Sequence, residues 1–222
     1  VTNRLPAAVL WDMDGTLLDS EKLWDIPLYE LAAELGGTLS LATRHEMVGS
    51  NVPTTLQLLF SDIGREPSEE DLAQAADWIA KRTAEVFREN LPWRPGAAEA
   101  LRAVRASGVP MALVTSTDRE LTEIALDTIG RELFDVTVCG DEVDGLNKPH
   151  PEPYLKAAGL LGVDAAASVA VEDSPTGVAS AVAAGCTVLV VPCDVPVEQG
   201  ERRVFRESLV GVDVAVLGRL LA

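Results

Sequence analysis

The sequence predicts an α/β protein: a Rossmann-like parallel sheet core carrying an inserted all-helical cap. Three observations carry that reading. Short apolar runs alternate with helical patterns from about residue 109 onward, as in right-handed βαβ units. Strand signals are missing between Ser20 and that point. Near the start, the apolar run Ala8 to Trp11 stops abruptly at Asp12-Met13-Asp14-Gly15, as expected of a central strand buried on both faces with chemistry at its carboxyl edge.

The elements follow in order. After the first strand, Glu21 to Leu35 reads as a helix capped by Ser20 and stopped by Gly36-Gly37. Ser40 to Val48 and Val52 to Ile63 read as shorter helices. Ser68 opens a longer one, with Glu69, Glu70 and Asp71 in its first turn and Leu72, Ala76, Ile79, Thr83 and Val86 on one face, running to about Asn90. Beyond Pro95 the helices are 96–107, 119–129, 152–161 and 175–184, and the strands are 111–115, 136–139, 168–172 and 187–191. The expected organisation is a core of residues 1–20 and 92–222 and a cap of residues 21–91. Hinges are expected near Asp19 to Lys22 and Leu91 to Pro95.

At 222 residues and 47% hydrophobic content the chain can bury a sizeable core. No run reaches the length of a membrane span, and the start lacks the basic-then-apolar pattern of a signal peptide, so a cytoplasmic protein is expected. Cys139, Cys186 and Cys193 lie in or beside apolar runs without metal-ligand spacing and read as buried thiols. A formal charge of −17 argues against nucleic acid or an anionic membrane as partner. It leaves room for a small phosphorylated substrate, because one divalent cation and one lysine can reverse the sign of a pocket. The sequence leaves the oligomeric state open, and a monomer is compatible with it.

Four stretches carry chemistry. Alternate residues of an extended chain point the same way, so Asp12 and Asp14 could address one reacting atom, with Gly15 permitting a sharp turn. Asp-Gly alone is also a common turn. Met111 to Val114 ends in Thr115-Ser116-Thr117, either a strand followed by a helix cap or a hydroxyl and amide cradle for phosphate oxygens. Lys148, one of only four lysines, stands in Asn147-Lys148-Pro149 before a helix. Ser168 to Val171 runs into Glu172-Asp173-Ser174-Pro175; a helix N-cap and first turn account for Ser174 and Pro175 but not for the acidic pair.

The run from Asp12 to Ser20 closely resembles the nucleophile motif of the haloacid dehalogenase-like hydrolase superfamily in its phosphatase form, and the other three stretches follow in that family's order. The resemblance spans Ala7 to about Pro192 and points to the subgroup whose helical cap follows the first motif. Asn147 departs from the glycine that many relatives carry before the lysine. The resemblance implies Asp12 as nucleophile forming an aspartyl-phosphate, and Asp14 as general acid and base. It implies Thr115 and Lys148 holding the transferring oxygens. Mg²⁺ would bind the Asp12 carboxylate, the Asp14 backbone carbonyl and Asp173, with Glu172 as a further ligand or neighbour. Several carboxylates at one sheet edge repel by roughly 1 to 4 kcal/mol per pair at about 4 Å, which a divalent cation relieves.

Substrate choice falls to the cap and hinge, with Ser20, Glu21, Trp24, Gly49 and Ser50 as candidates, joined by Ser116, Thr117 and Asp118 from the core. Trp24 could equally be a packed helix residue. Ser20 to Trp24 is similar to sugar-phosphate phosphatases of the subgroup, including those acting on 2-deoxyglucose 6-phosphate. The alternative is phosphoryl transfer of the β-phosphoglucomutase type, whose members carry a cap histidine where this chain has Trp24. His45 and His150 read as surface or packing residues. Receiver domains also place acidic groups, a hydroxyl and a lysine around a phosphorylated aspartate. The early Asp12 and the expected cap argue against that class.

Overall fold

The computed structural model describes residues 5–221. Its centre is a six-stranded parallel sheet in the order β3-β2-β1-β4-β5-β6. These strands are β1 (Val9–Trp11), β2 (Met111–Val114), β3 (Val136–Val138), β4 (Val169–Glu172), β5 (Thr187–Val190) and β6 (Arg203–Phe205). The sheet is buried on both faces because its residues alternate between two apolar layers. Val9, Trp11, Met111, Leu113, Val169 and Val171 pack on one side, and Ala8, Leu10, Ala112, Val114 and Ala170 on the other. The second layer closes against α7 (Glu152–Leu161) and α8 (Pro175–Ala183).

Register decides where the chemistry falls. Trp11 is level with Leu113 and Val171, so Asp12, Thr115 and Asp173 leave their strands together at one sheet edge. Strand order reverses at β1, the place where open α/β sheets form a crevice. Asp12 N–H donates to Val171 O at 3.0 Å, pinning the end of β1 to β4.

Between β1 and β2 lie α1 (Glu21–Glu34), α2 (Leu41–Met47), α3 (Val52–Asp62), α4 (Glu69–Glu89) and α5 (Ala97–Ala106). The first four share their own apolar cluster around Leu28, Leu31, Leu56, Leu59, Phe60 and Ile79. Ser68 and Asp71 form the expected capping box of α4. That helix buries Ala75, Ile79, Thr83, Ala84, Val86 and Phe87, whereas Leu72 and Ala76 are only partly covered. The two expected hinge segments run side by side: Leu18 pairs antiparallel with Trp93, Asp19 N–H donates to Pro92 O at 2.8 Å, and Arg94 N–H donates to Leu17 O at 2.8 Å.

Three expectations need correction. β6 and α9 (Val214–Gly218) lie beyond the elements that periodicity revealed. β6 is a three-residue edge strand with a charged first residue, and α9 spans barely more than one turn. Ser20 does not cap α1 with its side chain, which turns instead to Asp14. Cys193 is only partly buried, while Cys139 and Cys186 are buried as expected. No described helix is long and apolar enough to cross a membrane.

Candidate active site

Asp12 leaves β1 almost fully buried, and Lys148 meets it from the loop before α7. Lys148 Nζ donates to Asp12 Oδ1 at 2.7 Å, to Glu172 Oε1 at 2.7 Å and to Val114 O at 3.0 Å, which uses its three protons. The two carboxylates hold the ammonium charged and push its pKa above the usual lysine range against the effect of burial. Burial and the Glu172 charge act the other way on Asp12 and raise it to about 8, although Lys148 opposes them.

Glu172 is fully enclosed and fully satisfied. Its Oε1 also accepts from Tyr154 Oη at 2.6 Å, and Oε2 accepts from the Asp173 amide at 3.2 Å and the Ser174 hydroxyl at 3.3 Å. Tyr154, on α7, carries the lysine over its ring at 5.3 Å from the centroid. Sequence reasoning missed Tyr154, because an apolar helix position gives no sign that its hydroxyl reaches a carboxylate.

Asp12, Glu172 and Asp173 each offer a carboxylate oxygen within 4.8 Å of the others. Two buried oxygens in this group have no hydrogen-bond partner, Asp12 Oδ2 and Asp173 Oδ2. Orphaned carboxylate oxygens buried in one cluster are costly unless a cation or a proton neutralises them. With Lys148 counted, the four side chains carry a net charge of −2 when ionised, which one divalent ion neutralises. The donor set is hard oxygen, so the residues present fit Mg²⁺. Glu172 lies in the cluster, yet direct ligation by it would require breaking one of its existing hydrogen bonds. Thr16 Oγ1, also unforeseen, donates to Asp173 Oδ1 at 3.1 Å and fixes that carboxylate. Gly15 sits at φ +78°, and a Cβ there would stand 2.2 Å from Asp173 Oδ2, so both conformation and space require glycine.

Asp14 is held apart from this cluster. Its Oδ1 accepts from Ser20 Oγ at 2.7 Å and Trp24 Nε1 at 3.2 Å, and its Oδ2 accepts from Thr117 Oγ1 at 2.8 Å and Thr115 Oγ1 at 3.4 Å. Trp24 also packs edge-on against Phe87, with ring centroids 5.9 Å apart, so its two possible roles coexist. A cavity of about 40 Å³ lies above these groups and opens to solvent. Cap and core also touch directly: Ser116 Oγ donates to Gly49 O at 3.1 Å and Thr176 Oγ1 to Val48 O at 3.4 Å.

Of the expected substrate contacts, Glu21, Trp24, Gly49, Ser50, Ser116 and Thr117 line this cavity. Ser20 and Asp118 do not. Ser20 is fully buried and committed to Asp14, and Asp118 serves as the backbone N-cap of α6 (Arg119–Ile129), its carboxyl raised by burial and by Asp141. The cavity also contains Arg44, which sequence reasoning missed because its partners, Glu21 and Asp25, are supplied by a different helix. His45 and His150 are exposed, as expected.

Escherichia coli (strain K12) hexitol phosphatase B is 30% identical over 196 residues, covering 86% of each chain. The phosphorylated carbohydrates phosphatase of Thermotoga maritima is 34% identical over 179 residues, 80% of this chain and 81% of that one. The crystal structure of CbbY from Rhodobacter sphaeroides in complex with phosphate superposes with a TM-score of 0.85 at 26% identity, covering 96% of this chain and 99% of that one. With the haloacid dehalogenase-like hydrolase model matching residues 6–185, and with that family's four stretches gathered at one sheet edge, the chain belongs to the haloacid dehalogenase-like hydrolases.

Proposed function

We propose that this protein is a Mg²⁺-dependent phosphomonoesterase that works through an aspartyl-phosphate on Asp12 and acts on a small phosphorylated metabolite, a sugar or sugar-alcohol phosphate. The observation that carries it is the buried Asp12 carboxylate, with one oxygen on Lys148 and the other without a partner beside the equally unpartnered Asp173 Oδ2. Residues 21–91 act as the cap on a core of 1–20 and 92–222.

In the first half-reaction an Asp12 oxygen attacks phosphorus, the P–O bond to the substrate breaks, and the leaving oxygen takes a proton from Asp14. In the second, water gives a proton to Asp14 and attacks phosphorus, and the P–O bond to Asp12 breaks to release phosphate. Lys148 and the Thr115 hydroxyl stabilise charge on the transferring oxygens. Mg²⁺, held by Asp12, Asp173 and the Asp14 carbonyl, would lower the pKa of Asp12 and screen the incoming dianion. Ser20, Trp24 and Thr117, donating to Asp14, orient its carboxylate for proton transfer rather than for metal binding.

Hexitol phosphatase B and the carbohydrate phosphatase among the relatives support the substrate class. The test is phosphate release from a panel of sugar and sugar-alcohol phosphates, nucleotides and phosphoglycolate with Mg²⁺, together with intact-mass detection of phosphate on Asp12. Asp12→Asn should lose both turnover and label; retained labelling at that position would overturn the assignment.

A further inference from the structure

The charge of the cavity's cap-side wall bears on which phosphate esters can enter. The cap contributes the apolar side chains of Leu28, Met47 and Val52, the hydroxyls of Ser50 and Thr55, and one cation among the described lining residues, Arg44. That cation is already matched. Arg44 Nη2 donates to Glu21 Oε2 and to Glu21 O, both at 2.9 Å, and Nε donates to Asp25 Oδ1 at 2.6 Å. The triad sums to −1 with Glu21 ionised and to zero with Glu21 protonated, so in neither state is it positive. The other two charged groups in the lining, Asp12 and Asp14, are acidic.

We propose that this cavity selects monophosphate esters whose remainder is small, uncharged and hydroxylated, and rejects those carrying a second phosphate or a carboxylate beneath the cap. The proposal rests on the phosphatase reading and deepens it. The transferring phosphate is served at the sheet edge by Lys148 and the metal site, whereas a second anion would lie against a wall that is neutral or negative. Like charges brought together in a desolvated site cost several kcal/mol, which corresponds to on the order of 10²-fold or more in affinity. Neutral hydroxyls meet Ser50 and Thr55 without that penalty. The same wall disfavours a bisphosphorylated sugar, which a mutase must hold in both orientations.

The test uses two matched pairs of probes: sorbitol 6-phosphate against 6-phosphogluconate, and glucose 6-phosphate against glucose 1,6-bisphosphate. Affinities are measured calorimetrically with Mg²⁺ on the Asp12→Asn protein, and phosphate release is measured on the unaltered protein. The neutral member of each pair should bind on the order of 10²-fold more tightly. Adding Asp25→Asn, at a half-exposed carboxylate outside the cavity lining, should narrow that gap, and adding Glu21→Gln as well should narrow it by about 10-fold or more by leaving Arg44 unmatched. Equal affinities within each pair, or gaps that neither substitution moves, would overturn the charge argument and leave the phosphatase reading standing. Absence of phosphate release from all four probes would overturn the sugar-phosphate assignment and this inference with it.

Discussion

Asp173→Asn should make the metal-free protein more stable while abolishing its response to Mg²⁺. The reason is the pair of unpartnered oxygens, Asp12 Oδ2 and Asp173 Oδ2, buried in a group whose ligand atoms lie within 4.8 Å of one another. Coulomb's law at an effective dielectric of about 20 gives roughly 3.5 kcal/mol of repulsion between two unit charges at that separation. Protonation is the protein's other way out: burial, reinforced by Asp12 and Glu172, raises Asp173 well above the ordinary carboxylate range. Either route costs native stability near neutral pH, and an amide of the same shape escapes both. Its oxygen can still accept from Thr16 in place of Asp173 Oδ1. Urea denaturation followed by tryptophan fluorescence, in chelator and in excess Mg²⁺, should place the variant up to about 3 kcal/mol above the parent protein without metal. The parent alone should gain stability with Mg²⁺, in the manner of any ligand that binds only the native state. A variant less stable than its parent in chelator, or one that keeps the full Mg²⁺ shift, would refute the reasoning.

Lys148→Ala should lower turnover on the order of 10²-fold, as loss of a preorganised electrostatic group does, and a near-parental rate would show that Asp12 needs no such partner. Tyr154→Phe keeps the ring under Lys148 and removes one 2.6 Å hydrogen bond to Glu172; a loss of about 1.5–3 kcal/mol in urea denaturation is expected, with a lowered kcat and an unchanged KM. Burial raises Glu21 to about 7 from an ordinary 4.5, so the native state holds its proton more tightly and this group's contribution declines as pH rises between those values. Glu21→Gln cannot titrate, so the parent's stability relative to this variant should fall between pH 5 and pH 8. A gap in urea midpoints that does not change with pH would contradict it.

The catalytic edge was legible because the apolar run of each of its strands gives way at once to a polar residue, and strand register does the rest. The helical segment was legible through its caps: Ser40, Asn51 and Ser68 each accept the amide three residues on. What stayed hidden depends on long-range pairing. Arg44 meets Glu21 across 23 positions, Tyr154 meets Glu172 across 18, and Thr16 meets Asp173 across 157. None of these contacts leaves a periodic trace. Ser20 illustrates the converse, since its position before a helix is a capping signal while its hydroxyl is drawn to the stronger acceptor at Asp14.

The paired ribbon of Leu18-Asp19 and Pro92-Arg94 is where the chain crosses between sheet and helical segment in both directions. Trp24 lies just beyond it on α1 and Asp14 just before it, so rotation about the ribbon would part Gly49 from Ser116 and Val48 from Thr176 and would also strain the 3.2 Å indole bond. The Lys148 to Asp12 contact lies wholly at the sheet edge and is untouched by that rotation. A ligand too bulky to let the helices settle would therefore still find its nucleophile intact, but its proton donor would have lost an orienting partner. Size discrimination would then register as slow chemistry on a bound ligand, appearing in kcat more than in KM.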